Sequence, residues 1–91
     1  MANIGQFKVG KEWEKIDDLT GFSFVAESSY TIQNRGYQAL QLCIAESKPD
    51  TDKVGFIINQ SEAVGYTAES GNFLWLKSVD NTTEFNVAEG V

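Results

Sequence analysis

Tyr30-Thr31-Ile32-Gln33-Asn34-Arg35-Gly36 and the segment that follows it, Tyr37-Gln38-Ala39-Leu40-Gln41-Leu42-Cys43-Ile44-Ala45, decide how the rest of the chain is read. Tyr30, Ile32 and Asn34 fall on one side of an extended backbone, with Thr31 and Gln33 on the other; Leu40, Leu42 and Ile44 then alternate with Gln41 and Cys43. A period of two marks a half-buried strand, because successive strand side chains point to opposite faces. Arg35-Gly36 reads as a turn joining the two strands.

The flanking sequence repeats the pattern. Ile4 to Val9 predicts a first strand, closed by Gly10. Trp13, Ile16 and Leu19 are three apart, as in a helical turn, but the segment is short and a strand followed by an Asp17-Asp18 turn is the preferred reading. Phe22, Phe24 and Ala26 share a face in a predicted third strand. Residues 46 to 53 hold the only proline, Pro49, among small and charged residues and read as an exposed loop. Val54 to Asn59 resumes strand character, Gln60 to Tyr66 is ambiguous, and Glu69 to Asn72 is a turn. Phe73 to Val79 and Thr83 to Ala88 straddle Asp80-Asn81 and predict a C-terminal hairpin. Turn signals recur roughly every 8 to 12 residues, the rhythm of an all-β sandwich or small barrel. The expectation is one domain over residues 1–91, with seven to eight short, mainly antiparallel strands.

Composition narrows what such a domain can do. A chain of 91 residues removes only about 60% of its unfolded-state surface on folding, so its stability margin is thin and oligomerisation is a common remedy. Thirteen acidic against seven basic residues leave a net charge of −6, which repels polyphosphate and anionic headgroups and argues against nucleic acid or membrane as partner. Residues 1–45 carry five acids and four bases, and residues 46–91 carry eight and three, so any electrostatic preference lies in the second half. The N-terminus lacks a basic stretch leading into an apolar core, and no apolar run approaches the roughly 20 residues of a membrane span, so a soluble product of the cytoplasm is expected.

Candidate chemistry is thin. Without histidine, Cys43 lacks the base that would make it a nucleophile, and being single it forms no intrachain disulfide; its setting suggests a half-buried strand position. Glu12 and Glu14 could share a strand face as a carboxylate pair, but nothing in the sequence encloses them. Asp50-Thr51-Asp52 starts like a calcium loop, yet Ser61 stands where the twelfth-position glutamate belongs. Asn59-Gln60-Ser61 and Asn81-Thr82-Thr83 match glycosylation acceptors, and chance accounts for both. No catalytic residue, cofactor or metal ligand is assigned, and an enzyme is not expected. Leu74, Trp75 and Leu76 make a strand apolar on both faces, which must be covered twice; its second face is left open between burial within the chain and burial at an interface.

Taken in order, Trp13 with Ile16 three residues later, the Tyr30-x-Ile32-Gln33-Asn34-x-Gly36 strand and turn, the apolar strand running into Ala45, the loop at Pro49, Gly55 with apolar neighbours, and Leu74-Trp75 with a closing strand resemble a group of small tailed-bacteriophage proteins encoded among virion structural genes. The resemblance runs from about Trp13 to Val87. It implies a non-enzymatic virion component: a capsid decoration or cement protein, or a small head-, tail- or fibre-associated piece, made in the bacterial cytoplasm and carried in the virion. Such a protein forms a homo-oligomer, commonly a trimer, and binds a repeated surface such as the major capsid protein, cross-linking neighbouring capsomers without covalent bonds. Gln33-Asn34 and Gly36 then look like a sheet-and-turn device, and Trp75 like an anchor for the last hairpin. Trp13, Phe22, Phe24 and Trp75 are the expected self-association residues, with Asp50, Asp52 and Lys53 as a shell contact. The alternative is a carbohydrate- or receptor-binding module of a tail fibre, with Trp13, Tyr37, Tyr66 or Trp75 stacking on a sugar ring.

Overall fold

The computed structural model describes residues 3–90. Eight strands and one short helix follow one another as β1 (Asn3–Val9), β2 (Glu14–Lys15), α1 (Ile16–Thr20), β3 (Ser29–Asn34), β4 (Leu40–Ala45), β5 (Phe56–Ile58), β6 (Ala63–Thr67), β7 (Phe73–Ser78) and β8 (Thr83–Glu89). They form two four-stranded sheets, in the orders β1-β8-β3-β6 and β2-β7-β4-β5, and every pairing is antiparallel. The fold is the expected small all-β sandwich.

The period-two pattern sets which residues meet between the layers. Tyr30 and Ile32 of β3 and Phe85 and Val87 of β8 face Leu40 and Leu42 of β4 and Leu74 and Leu76 of β7, all buried, with Ile16 of α1 among them. The outer face of the first sheet is polar, with Gln6, Lys8, Thr31, Gln33, Glu84 and Asn86 in register across it. The outer face of the second sheet has its own cover. The loop from 46 to 55 folds back over it: the Trp13 indole N–H donates to the Asp50 carbonyl at 3.1 Å, the Lys77 ammonium to the Thr51 carbonyl at 2.7 Å, and the Gly55 amide to Gln41 Oε1 at 2.9 Å. Lys77 Nζ lies 4.9 Å from the Trp13 ring centroid, a cation–π contact that helps hold a charge that is almost wholly buried. Gly55 must be glycine because a Cβ there would strike the Leu42 carbonyl and come within 2.9 Å of Trp13 Cη2.

Three expectations are corrected. Phe73–Ser78 and Thr83–Glu89 are strands but no hairpin, since β7 pairs with β2 and β4 in one sheet while β8 pairs with β1 and β3 in the other. The Arg35-Gly36 turn likewise leads from β3 in one sheet to β4 in the other. Only β4 and β5 are consecutive strands that stay in one sheet. Residues 22–26 form no strand: the rings of Phe22 and Phe24 do turn to a common side, but they pack edge-on against Tyr30 at centroid distances of 6.0 and 4.8 Å, and the Val25 amide donates to Tyr30 Oη rather than to a neighbouring strand. Between Lys11 and Leu19, only Glu14–Lys15 is extended, and the Ile16–Leu19 spacing belongs to a genuine helical turn, α1.

Asn34 ties the two layers together. Fully buried at the end of β3, it donates from Nδ2 to the Gln38 carbonyl at 2.8 Å and the Ile58 carbonyl at 3.1 Å, and accepts at Oδ1 from the Gly36 amide at 3.0 Å and the Thr83 hydroxyl at 3.1 Å. All four of its amide positions are used, which is how a buried polar side chain avoids its desolvation cost. Gly36 is required by proximity: a Cβ would collide with Thr83 Oγ1 and the Glu84 backbone.

Candidate functional site

Four residues expected to meet a partner are largely spent inside the chain. Trp13 is 2% exposed and Trp75 8%, the latter donating its indole N–H to the Ala45 carbonyl at 3.1 Å with Lys15 Nζ 5.7 Å from its ring. Phe22 and Phe24 are half-buried against the core, 5.0 Å apart and edge-on to each other. Thus both faces of the Leu74-Trp75-Leu76 strand are covered by this chain, which decides the question that the sequence left open. Asp50, Asp52 and Lys53 are exposed, and Asp50 is held through its backbone carbonyl, leaving its carboxylate to solvent. Of the four rings proposed for sugar stacking, Trp13, Tyr66 and Trp75 are buried and Tyr37 alone is open, at 90% exposure, so no shared platform forms.

Ile44, Val54, Phe56 and Ile57, four of the seven large hydrophobics exposed among the described residues, instead belong to the side of the sandwich bounded by β5 and β6; Val25, Tyr37 and Val79 are the other three. In register, Phe56 stands beside Leu42 and Ile44 beside Leu74, on the core-facing side of the sheet, yet Phe56 is 62% exposed and Ile44 52%. They are open because β4 runs past its neighbour: Leu40, Gln41 and Leu42 pair with β5, whereas Cys43, Ile44 and Ala45 have β7 on one edge and no strand on the other. The gap this leaves between the sheets is an apolar cleft of about 330 Å³, lined by Leu42, Ile44, Phe56, Val64, Tyr66 and Leu74. Val54 and Ile57 add exposed apolar surface beside it. Sequence reasoning passed over this edge, although one signal was present: from Val54 to Ser61 there is no charged residue, and three consecutive bulky apolar residues sit at its centre.

Little else suggests chemistry. Glu12 lies outside β2, within 3.8 Å of Lys48, so it does not share a strand face with Glu14. Among the described residues no group of three or more His, Cys, Asp or Glu side chains could hold a metal ion. Cys43 is half-buried and free. The Tyr66 hydroxyl is pushed above its ordinary pKa of 10.0, first by burial and then by the carboxylates of Asp17 and Glu69 and by Tyr30. Among the described residues no buried side-chain nitrogen or oxygen lacks a hydrogen-bond partner, so the interior holds no polar group waiting for a ligand. Neither a family model, a curated protein nor a solved structure matches the chain.

Proposed function

We propose that this protein is a non-enzymatic assembly component of a bacteriophage virion, of the capsid decoration, cement or head- and tail-associated kind, which works by associating with itself and by binding a repeated surface. The observation that carries this reading is the contrast between an interior whose buried polar side chains, among the described residues, are all satisfied and an edge that leaves Phe56, Ile44, Val54 and Ile57 in water. Apolar residues gathered at one place on a small domain mark an interaction surface. The order of motifs from Trp13 to Val87 points the same way, toward small tailed-phage structural proteins. The acidic exterior suits docking on a basic repeated lattice, with Asp50 and Asp52 as the exposed carboxylates of the covering loop.

Mass spectrometry of purified particles of the phage that encodes the chain tests this directly. The protein should be present at a fixed stoichiometry relative to the major capsid or tail protein. Its absence from particles, with abundant protein free in the lysate, would remove the virion assignment.

A further inference from the structure

We infer that the β5 edge is covered by a second copy of this chain, the two edges meeting antiparallel about a two-fold axis so that Phe56 of each closes over the cleft of the other. This rests on the assembly reading and names its self-association surface. Three observations select the occupant.

First, the strand edges on the opposite side, β1 and β2, are guarded. β1 is interrupted by a bulge between Asn3 and Gly5 and carries exposed Lys8. β2 is two residues long, carries Glu14 and Lys15, and has α1 packed beside it. Bulges, charges, short strands and covering helices are the devices that stop edges from pairing. β5 is short, but it has no bulge, no charge and no cover, and neighbouring β6 exposes only Ala63, Gly65 and Thr67. β6, the edge strand beside it in the other sheet, is also uncharged and unbulged, so the open edges all lie on this one side of the sandwich; two copies that meet there present identical surfaces, and such a contact is isologous.

Second, electrostatics favours a copy. Each chain carries −6, so two copies must meet where no like charges are forced together, and the eight residues from Val54 to Ser61 are uncharged. The first charges on either side of that segment are Lys53 and Glu62. They have opposite signs, so an antiparallel arrangement does not set like charges against each other at the ends of this segment, and the Glu62 carboxylate is already held by the Asn59 amide at 2.6 Å. Third, the edge offers both a projection and a recess: Phe56 stands out into water at the mouth of the cleft that it helps to line. A two-fold contact needs both on one surface.

The closed unit is therefore a dimer, where the phage resemblance implies a trimer, and solution mass separates them. Light scattering of the intact protein over a concentration series should give twice the 10.1 kDa chain mass. Phe56→Asp should return it to the monomer mass, weakening association at least tenfold. Ile57→Lys, which puts a charge on the edge itself, should do the same, whereas Tyr37→Ser should leave the mass unchanged. A near-ultraviolet circular dichroism spectrum matching the parent verifies that each variant is folded, and having two edge variants keeps the test decisive if one is not. A monomer at every concentration, a trimer, or a dimer that survives both edge substitutions would overturn the inference. The last two results leave the virion reading standing, and absence from particles removes that reading without touching the dimer.

Discussion

On one side of the sandwich α1 lies against β1, β2 and β7 and drives Ile16 fully into the core, with Leu19 packed behind it; on the other, β5 and β6 have nothing between them, and Phe56 and Ile44 stand in water. Both sides start from the same problem, two sheets whose inner faces must be sealed at their edges. The chain solves it once, with five residues of helix between β2 and β3. Between β5 and β6 it spends only a tight turn, in which the Glu62 amide donates to the Asn59 carbonyl at 3.0 Å. A side sealed by its own helix is part of the fold; the side left open with apolar residues at its lip is the one we propose for an interaction.

The comparison makes substitutions on the two sides behave differently. The largest effect should come from Ile16→Ala, which empties a fully buried site on the sealed side and should cost about 2–5 kcal/mol of unfolding free energy in urea titrations. Asn34→Ala should follow, at about 2–3 kcal/mol, because it strands the Gly36 amide and takes a donor from the Ile58 carbonyl in the interior, while the Thr83 hydroxyl keeps the Gln38 carbonyl as acceptor at 2.9 Å; Thr83→Val, which leaves the other three bonds of Asn34 in place, should cost less in the same urea titrations.

A smaller effect attends alkaline pH. Burial raises the Tyr66 pKa in the folded protein, so above its ordinary 10.0 the unfolded chain loses a proton that the folded one still holds. Stability from this source is complete below that pH and falls as pH rises toward the folded-state value. Urea midpoints should decline on crossing it, and Tyr66→Phe should flatten that part of the decline. The smallest effect on the isolated fold should be that of Phe56→Ala, within about 0.5 kcal/mol when measured at concentrations too low for association, since an exposed ring contributes little to the monomer. An Ile16→Ala cost no larger than that of Phe56→Ala would erase the distinction between the two sides.

Much of the sandwich was legible in the sequence because period two survives wherever a strand has one wet face. Tyr30, Ile32 and Asn34 are all buried and face the core together, as their spacing implied. Sheet membership was not legible. Thr83 to Ala88 follows Phe73 to Val79 after a turn whether it folds back beside β7 or crosses to the other sheet; partners such as β4 and β1, far away in the chain, decide which. The alternation in Phe22-Ser23-Phe24 came from two rings capping Tyr30, which leaves the same trace as a strand. Trp13 and Trp75 looked like surplus apolar surface, because the cover that hides Trp13 is a polar loop carrying Pro49 and Asp50 that no local pattern ties to it. The open edge was visible only as a missing thing, eight residues without charge, and a missing charge acquires meaning once β5 is known to be an edge strand.

Amide hydrogen exchange, followed residue by residue at low and high protein concentration, tests the central claim most directly. Self-association through the open side predicts that protection at Phe56–Ile58 rises with concentration while protection along β1 and β2 stays constant. Exchange at Phe56–Ile58 that is independent of concentration, or that slows together with β1 and β2, would contradict it.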